Sequence, residues 1–361
     1  MERKWRVAVV GATGMVGQRF VSLLADHPWF EIAVVAASAR SAGKTYEEAV
    51  ADRWAFDWPI PQNIRPLVVR DASDVESVTS DVDFVFCAVD MKKDEIRALE
   101  DAYAKSETPV VSNNSAHRGT PDVPMIVPEL NPQHADIIEY QRKRLGTKVG
   151  FVTVKPNCSI QSYVPALTAL YDLKPTRVVV STYQAISGAG KTFKRWPEMI
   201  DNVIPYIGGE EEKSEQEPLK IWGHIENGVI VPAKAPIISA HCVRVAVADG
   251  HLATCWASFE KPATKEEIIE RWRSFEGLPQ KMNLPSAPYP FLQYFEEDNR
   301  PQTRLDRDFE HGMGISLGRL RGDSLFDWRF VGLSHNTLRG AAGGAVLIAE
   351  LLCAQGYIPK K

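Results

Sequence analysis

Val7-Ala-Val-Val-Gly11-Ala-Thr-Gly14-Met-Val-Gly17 is the stretch that decides the fold. Residues 7–10 read as a buried strand, and Val16, Phe20, Leu23 and Leu24 then recur at helical spacing. A second apolar run at 32–37 follows. Strand, glycine turn, helix and strand thus fit within about 30 residues, the span of one βαβ unit. A tight turn at Gly11 brings the backbone close to a pyrophosphate, while Gly14 and Gly17 permit close contact and close helix packing. The phosphate charge then faces the positive end of the helix dipole. The spacing is G-x-x-G-x-x-G, not the G-x-G-x-x-G of the commonest NAD motif, and a bare strand-to-helix connection is the alternative. The flanking strands favour dinucleotide binding.

Outward from this unit the alternation continues. Strands are expected at 66–69, 83–89 and 109–111, with a helix over 94–104. Strands and helices alternating through short connections predict a Rossmann-like, doubly wound parallel sheet. Beyond about residue 150 the texture changes. Strand runs at 151–154 and 178–183 flank a helical stretch over 159–171, and long alternating runs follow at 237–247, 252–259, 314–320 and 328–333. These predict an α+β domain with a mostly antiparallel sheet, one face of which meets solvent or a second subunit. A last helix over 338–354 carries Gly340, Ala341, Ala342, Gly343 and Gly344. So many small residues cost helix stability, and close approach to another element is the expected compensation.

The 361 residues (40.2 kDa) suffice for two domains, and 44% hydrophobic with 24% charged residues argues against disorder. A net charge of −4 offers no electrostatic attraction for nucleic acid or a membrane surface. No apolar run approaches a membrane span, and the N-terminus passes into a strand without a signal segment. Five scattered cysteines, at 87, 158, 242, 255 and 353, predict a reducing, cytoplasmic setting. Without C-x-x-C pairs, no structural metal is expected.

The end of the second strand selects the cofactor. NAD enzymes usually place an acid there for the ribose hydroxyls. This chain reads Ala37-Ser38-Ala39-Arg40-Ser41. Arg40 can pair with a 2′-phosphate and the serines can donate to it, so NADP is expected.

Pro156-Asn157-Cys158-Ser159 joins a strand to a predicted helix. A helix start stabilises a thiolate and offers N–H groups to an oxyanion. A buried structural cysteine is the alternative; it suits Cys87, Cys255 and Cys353 in apolar runs better than Cys158 between polar neighbours. A nucleophilic thiol needs a proton partner, and His251, at an Asp-Gly turn between two strands, offers one. His117, His241 and His335 compete.

The ordered set Gly11-Ala-Thr-Gly-Met-Val-Gly-Gln18, Ser112-Asn-Asn-Ser-Ala-His-Arg118, Pro156-Asn-Cys-Ser159, Gln184-Ala-Ile-Ser-Gly-Ala-Gly190, Glu210-Glu-Glu-Lys213, Arg244 with Gly250-His251, and His335-Asn-Thr337 resembles the aspartate-semialdehyde dehydrogenase family, in its archaeal and fungal branch. The resemblance spans residues 7–358. It implies NADPH-dependent reduction of L-aspartyl 4-phosphate to the 4-semialdehyde and phosphate through a cysteine thioester, in biosynthesis of lysine, threonine, methionine and isoleucine. It implies Cys158 as nucleophile, His251 as acid/base and Gln184 as orienting group. Glu210 would take the substrate ammonium and Arg244 its carboxylate; Arg118, Asn157 and Lys213 would take phosphate. Thr13, Gly14, Met15, Val16, Arg40, Ser41, Ser187, Gly188 and Asn336 would line the NADP site. The expected division is an NADP-binding domain at 1–150, joined by a returning helix at 338–358, and a catalytic and dimerisation domain at 151–337. A homodimer or homotetramer is implied.

The residue types suit this chemistry independently. A guanidinium fork fits a planar carboxylate, and a lysine fits phosphate as a compact charge. Glu210 and Lys213 share a face on any helix, although by composition alone the acidic run reads as a solvated helix start. Arg118 has a similar alternative, pairing with a carboxylate such as Asp122. Ala246 stands where many relatives carry proline, the loop Lys191-Thr-Phe-Lys-Arg195 is unusually basic, and the segment 46–61 with Trp54 and Trp58 matches nothing diagnostic. Rival readings are a malonyl-CoA or succinyl-CoA reductase, an N-acetylglutamyl-phosphate reductase, and an inactive NADP-binding sensor. The first needs neither Glu210 nor Lys213.

Overall fold

The computed structural model describes residues 3–361. The apolar runs of the first part pair as six parallel strands: β1 (Trp5–Val10), β2 (Phe30–Ala37), β3 (Arg70–Asp71), β4 (Phe84–Cys87), β5 (Val110–Ser112) and β6 (Val152–Val154). Their order is β3-β2-β1-β4-β5-β6, the doubly wound order, with its switch point between β1 and β4. Period-two alternation sorts β1 between two cores. Val7 and Val9 pack with Phe20, Phe86 and Leu347, whereas Ala8 and Val10 join the core that continues under the second sheet.

The second sheet holds β7 (Pro175–Gln184), β8 (Val203–Ile204), β11 (Ile237–Val245), β12 (His251–Phe259), β13 (Leu292–Phe295), β14 (Ile315–Gly322) and β15 (Trp328–Ser334), with a separate small hairpin of β9 (His224–Glu226) and β10 (Val229–Val231) between β8 and β11 in the chain. It is mixed and mostly antiparallel: β7 pairs in parallel with β11, and β13 with β14, while the remaining pairs are antiparallel. Val178 and Val180 of β7 are buried, but Val179 between them is 38% exposed and Ile237 on the neighbouring strand is 73% exposed. One face is core and the other is open.

Three local expectations are corrected. The run 66–69 is not the third strand, because its backbone groups are spent on residues 43–46: Tyr46 N–H donates to Leu67 O, and Gly43 N–H to Val69 O. Pairing with β2 begins only at Arg70. The stretch 159–171 is no continuous helix. A 3₁₀ turn at Ser159–Ser162 breaks at Tyr163, φ −138°, before a short helix at Val164–Thr168. Pro165 has no N–H to carry a helix across that junction. The last helix is Ala342–Ala354, not from 338, because Ala341 has φ −143° and ψ −110°. Residues 342–353 are all buried, packed against helix Met15–Leu24 and β5. No helix among the described residues is long and apolar enough to cross a membrane.

Candidate active site

Cys158 follows β6 at the junction of the two sheets, and is partly exposed. His251 opens β12, fully buried, and its Nε2 lies 3.4 Å from Cys158 Sγ. The Ala185 N–H donates to His251 Nδ1 at 3.1 Å, so the neutral ring carries its proton on Nε2, facing sulfur. Burial, and then the Arg244 charge, hold this imidazole well below its usual pKa. The other candidate histidines lie elsewhere: His241 is exposed beside Glu211, His117 sits by Asp101, and His335 lies 3.7 Å from Asp308.

The thiolate argument from a helix start is corrected by the four-residue 3₁₀ turn, which has little dipole. Burial pushes the Cys158 thiol up and Glu210 adds to this, while Lys155, Arg118 and Arg244 oppose them. The resting group is a thiol that cations partly compensate.

Gly188 accounts for the close packing around this pair. A Cβ there would stand 2.9 Å from Arg244 Nη1 and 3.0 Å from His251 Nε2. Arg244, 6% exposed, donates to Ala185 O at 2.7 Å and has no ion-pair partner among the described residues. It remains available to an incoming carboxylate.

The acidic run does not form a solvated helix start throughout. Helix Glu210–Ile221 turns Glu210 and Glu217 inward, while Glu212 faces solvent. Glu210 accepts from Lys213 Nζ at 2.8 Å, from Asn157 Nδ2 at 2.9 Å and from Gln184 Nε2 at 3.3 Å. Burial pushes its pKa up, but Lys213, Asn157 and Gln184 outweigh this and keep it an anion. Arg118 pairs with Glu217 at 3.0 Å, not with Asp122, which is taken by Arg144. Glu217 also accepts the Asn157 N–H at 2.5 Å. Sequence reasoning missed it, although 210, 213 and 217 share one helix face by spacing. A cavity of about 640 Å³ opens here, lined by Arg118, Lys213, Glu217 and Lys220. An anion such as phosphate fits it.

A second cavity, about 480 Å³, runs along Thr13, Gly14, Met15 and Val16 to Asn113 and Gly190. Gly11, at φ +82°, is required where a Cβ would stand 2.2 Å from Ala88 O, and Gly17 where one would stand 2.1 Å from Gly11 O. Gly14 caps helix Met15–Leu24 without a side chain over its free N–H groups. A dinucleotide pyrophosphate fits that end. Ser38 and Arg40 are exposed at the end of β2, and Ser41 is buried. Asn336 links the two regions, donating to Ser187 Oγ and accepting the Gly250 N–H, both at 2.8 Å. Arg53 and Arg195, which the motif reading did not include, line the same cavity. Arg53 Nη2 donates to Ser41 Oγ at 3.4 Å, and Arg195, from the basic loop, to Asp52 O at 3.2 Å.

A family model described as "Semialdehyde dehydrogenase, NAD binding domain" matches residues 6–138, and one described as "Semialdehyde dehydrogenase, dimerisation domain" matches residues 167–339. An aspartate-semialdehyde dehydrogenase of Methanothermobacter thermautotrophicus is 43% identical over 96% of this chain and 98% of its own length. That of Aspergillus fumigatus is 42% identical over 98% and 99%. A crystal structure of aspartate semialdehyde dehydrogenase with NADP from Candida albicans is similar at a TM-score of 0.88 and 37% identity, covering 99% of this chain and 100% of that one.

Proposed function

As the chain belongs to the aspartate-semialdehyde dehydrogenase family, we propose that the Cys158–His251 pair carries out the NADPH-dependent reduction of L-aspartyl 4-phosphate to L-aspartate 4-semialdehyde and phosphate. The enzyme is an NADP-dependent oxidoreductase. The observation that supports these roles most directly is the 3.4 Å approach of Cys158 Sγ to His251 Nε2, beside an unpaired Arg244.

Arg244 takes the substrate α-carboxylate, and Glu210 its ammonium. Arg118, Lys213 and Asn157 take the phosphoryl group; Asn157 exchanges a bond to Glu210 for one to substrate. Cys158 Sγ attacks the acyl carbon, the bond to the phosphate oxygen breaks, and the thiol proton leaves with the phosphate. A thioester remains, one difficult displacement divided into two easier ones. NADPH, when bound along Gly11 to Gly17 with Ser38, Arg40 and Ser41 at its 2′-phosphate, supplies the hydride. Gln184 and the His251 Nε2–H hold the carbonyl oxygen as it gains charge. Collapse of the hemithioacetal releases aldehyde and leaves the Cys158 thiolate under the same Nε2–H until solvent reprotonates it. Ser187, Gly188 and Asn336 shape the wall between cofactor and thiol.

Cofactor binding falls to residues 1–150 with the returning segment 338–358, which holds helix Ala342–Ala354, and catalysis and dimerisation fall to 151–337. Two copies pair through the open face around Val179 and Ile237, as a homodimer or as a tetramer of such dimers. A cytoplasmic place in the biosynthesis of lysine, threonine, methionine and isoleucine accords with five free cysteines. A malonyl-CoA or succinyl-CoA reductase on this scaffold leaves the Glu210–Lys213 pair without a task.

The test is mass spectrometry after mixing with aspartyl phosphate without NADPH. An acyl adduct is expected on the Cys158 peptide, absent in Cys158→Ala, which should bind NADP normally and turn over nothing. Phosphate-dependent NADP reduction should favour aspartate semialdehyde over malonate and N-acetylglutamate semialdehydes. An adduct on Cys242, or activity surviving in Cys158→Ala, overturns the reading.

A further inference from the structure

Lys155 is the anomaly of the active site. Its side chain is 2% exposed, yet it has no ion pair among the described residues. Its Nζ donates to a single acceptor, the carbonyl of Pro156. An ammonium removed from water without an anion costs several kcal/mol by any estimate, so such groups are retained where a negative charge comes and goes.

The surroundings say which charge that is. Lys155 directly follows β6, three residues before Cys158, and its backbone is fixed on both sides: its N–H donates to Ser112 O at 2.9 Å, and its carbonyl accepts from Arg118 Nε at 3.0 Å. The glycine-rich entry to the last helix covers both side chains. A Cβ on Gly340 would stand 2.8 Å from Cys158 Cβ, and one on Gly344 would stand 3.6 Å from Lys155 Cδ. These glycines flank the start of helix Ala342–Ala354, so the Cys158 and Lys155 side chains pack against one glycine-rich segment. The charged and titratable groups around Lys155 include Arg118, Cys158, Glu217, Arg339 and the neutral ring of His251. Glu217 is already engaged by Arg118 and the Asn157 N–H. Cys158 is the one acid in that set held in no ion pair among the described residues, and Lys155, ahead of Arg118 and Arg244, is the cation that acts on it most.

We propose that Lys155 is a positioning residue for the nucleophile, the buried cation that balances the Cys158 thiolate and holds the Pro156–Asn157–Cys158 turn through the Pro156 carbonyl. The inference rests on Cys158 as the reactive thiol and deepens that reading. Burial, followed by repulsion from Arg118, lowers the Lys155 ammonium to about 7, and the Cys158 charge pulls it back up. The coupling is therefore reciprocal: forming the thiolate strengthens the ammonium beside it.

The test needs neither substrate nor cofactor. The rate of Cys158 alkylation by iodoacetamide is followed against pH in the full-length enzyme, in Lys155→Met and in Lys155→Gln. The alkylation midpoint should rise by about one pH unit in both variants, the effect of removing one nearby opposite charge. Lys155→Met should also melt no lower than the parent, because an unpaired buried charge has been replaced by an apolar chain of similar length. An unchanged midpoint in either folded variant overturns the proposal, as does a midpoint that falls. A raised midpoint in an enzyme that forms no acyl adduct upholds this coupling and refutes the catalytic reading instead.

Discussion

The Ala185 N–H donates to His251 Nδ1 at 3.1 Å, and this one bond determines how His251 meets Cys158. It leaves the ring's proton on Nε2, 3.4 Å from Sγ. A second proton would have to sit on Nδ1, opposing the Ala185 donor, which agrees with an imidazole held well below its ordinary pKa by burial and by Arg244. In the proposed mechanism His251 is a neutral donor to sulfur and to the reacting oxygen. His251→Asn should lower kcat by about 10²–10⁴-fold with a smaller change in KM. The parent kcat should show no inflection near pH 6.5 from this ring. Steady-state kinetics from pH 5 to 9 check both; a clear loss of rate around 6.5 that vanishes in the variant refutes the neutral-donor assignment.

Arg244 should behave differently. Its guanidinium is held by Ala185 O at 2.7 Å and is in no ion pair among the described residues. Arg244→Lys keeps the charge but loses the fork, so KM for the semialdehyde should rise by about tenfold or more while kcat changes less. A variant with normal KM and low kcat would place Arg244 at the reacting atoms instead.

Cofactor preference should depend on two arginines. Arg40 is exposed, whereas the backbone of Arg53 is gripped by Gln18, whose Nε2 donates to Arg53 O at 3.0 Å and whose Oε1 accepts the Ala55 N–H at 2.8 Å. A fixed cation loses less freedom on binding. Arg53→Ala and Arg40→Ala should each weaken NADPH by about 10- to 100-fold and NADH by much less. Fluorescence titration with both nucleotides decides it; equal losses for both would move the contact from the 2′-phosphate to the pyrophosphate.

The first sheet was legible because its signals are local. Residues 7–37 state strand, turn, helix and strand in sequence order, and the required glycines are those at Gly11 and Gly17. The run 66–69 was misread because apolar character marks burial and not the partner, and its partners are residues 43–46. Cys158 and His251 stand 93 residues apart, so no period connects them; the order of motifs did. Lys155 and Glu217 left weaker traces. A lysine just after a buried strand and a fifth acid seven residues after Glu210 are unremarkable until the fold turns both inward.

Glu100 gives a stability signature in pH. It is fully buried, Oε1 accepts from Ser112 Oγ at 2.5 Å and from Asn114 Nδ2 at 2.8 Å, and Oε2 has no hydrogen-bond partner among the described residues. Burial raises its pKa to about 7 against the opposing bonds from Ser112, Asn114 and Cys87. The folded state thus binds more protons than the unfolded one between the ordinary carboxyl pKa and about 7. Its stabilising share is complete at low pH and is lost as pH rises through that window, by about 3 kcal/mol in total. Glu100→Gln should remove this slope. Thermal midpoints of parent and variant at pH 5 and pH 8 test it: the gap between the two pH values should shrink in the variant, and an unchanged gap defeats the assignment.

The last prediction concerns the glycine behind the nucleophile. Gly340 lies in the turn before helix Ala342–Ala354, where its N–H donates to His335 O at 2.9 Å. A Cβ at this position would meet Asn336 O at 2.6 Å and Cys158 Cβ at 2.8 Å. Neither neighbour can yield cheaply, since one is backbone and the other is the root of the reactive side chain. Gly340→Ala should cost about 1–3 kcal/mol, the range for overpacking a tight interior. It should also displace Sγ from His251 and lower kcat. Gly322→Ala, at the end of β14, is the control, because a Cβ there meets nothing within 4 Å. Thermal melts and kcat for both variants settle the point: the control should match the parent in both, and Gly340→Ala should fall in both. If Gly340→Ala melts lower but keeps full kcat, the contact matters for packing alone and does not place the thiol.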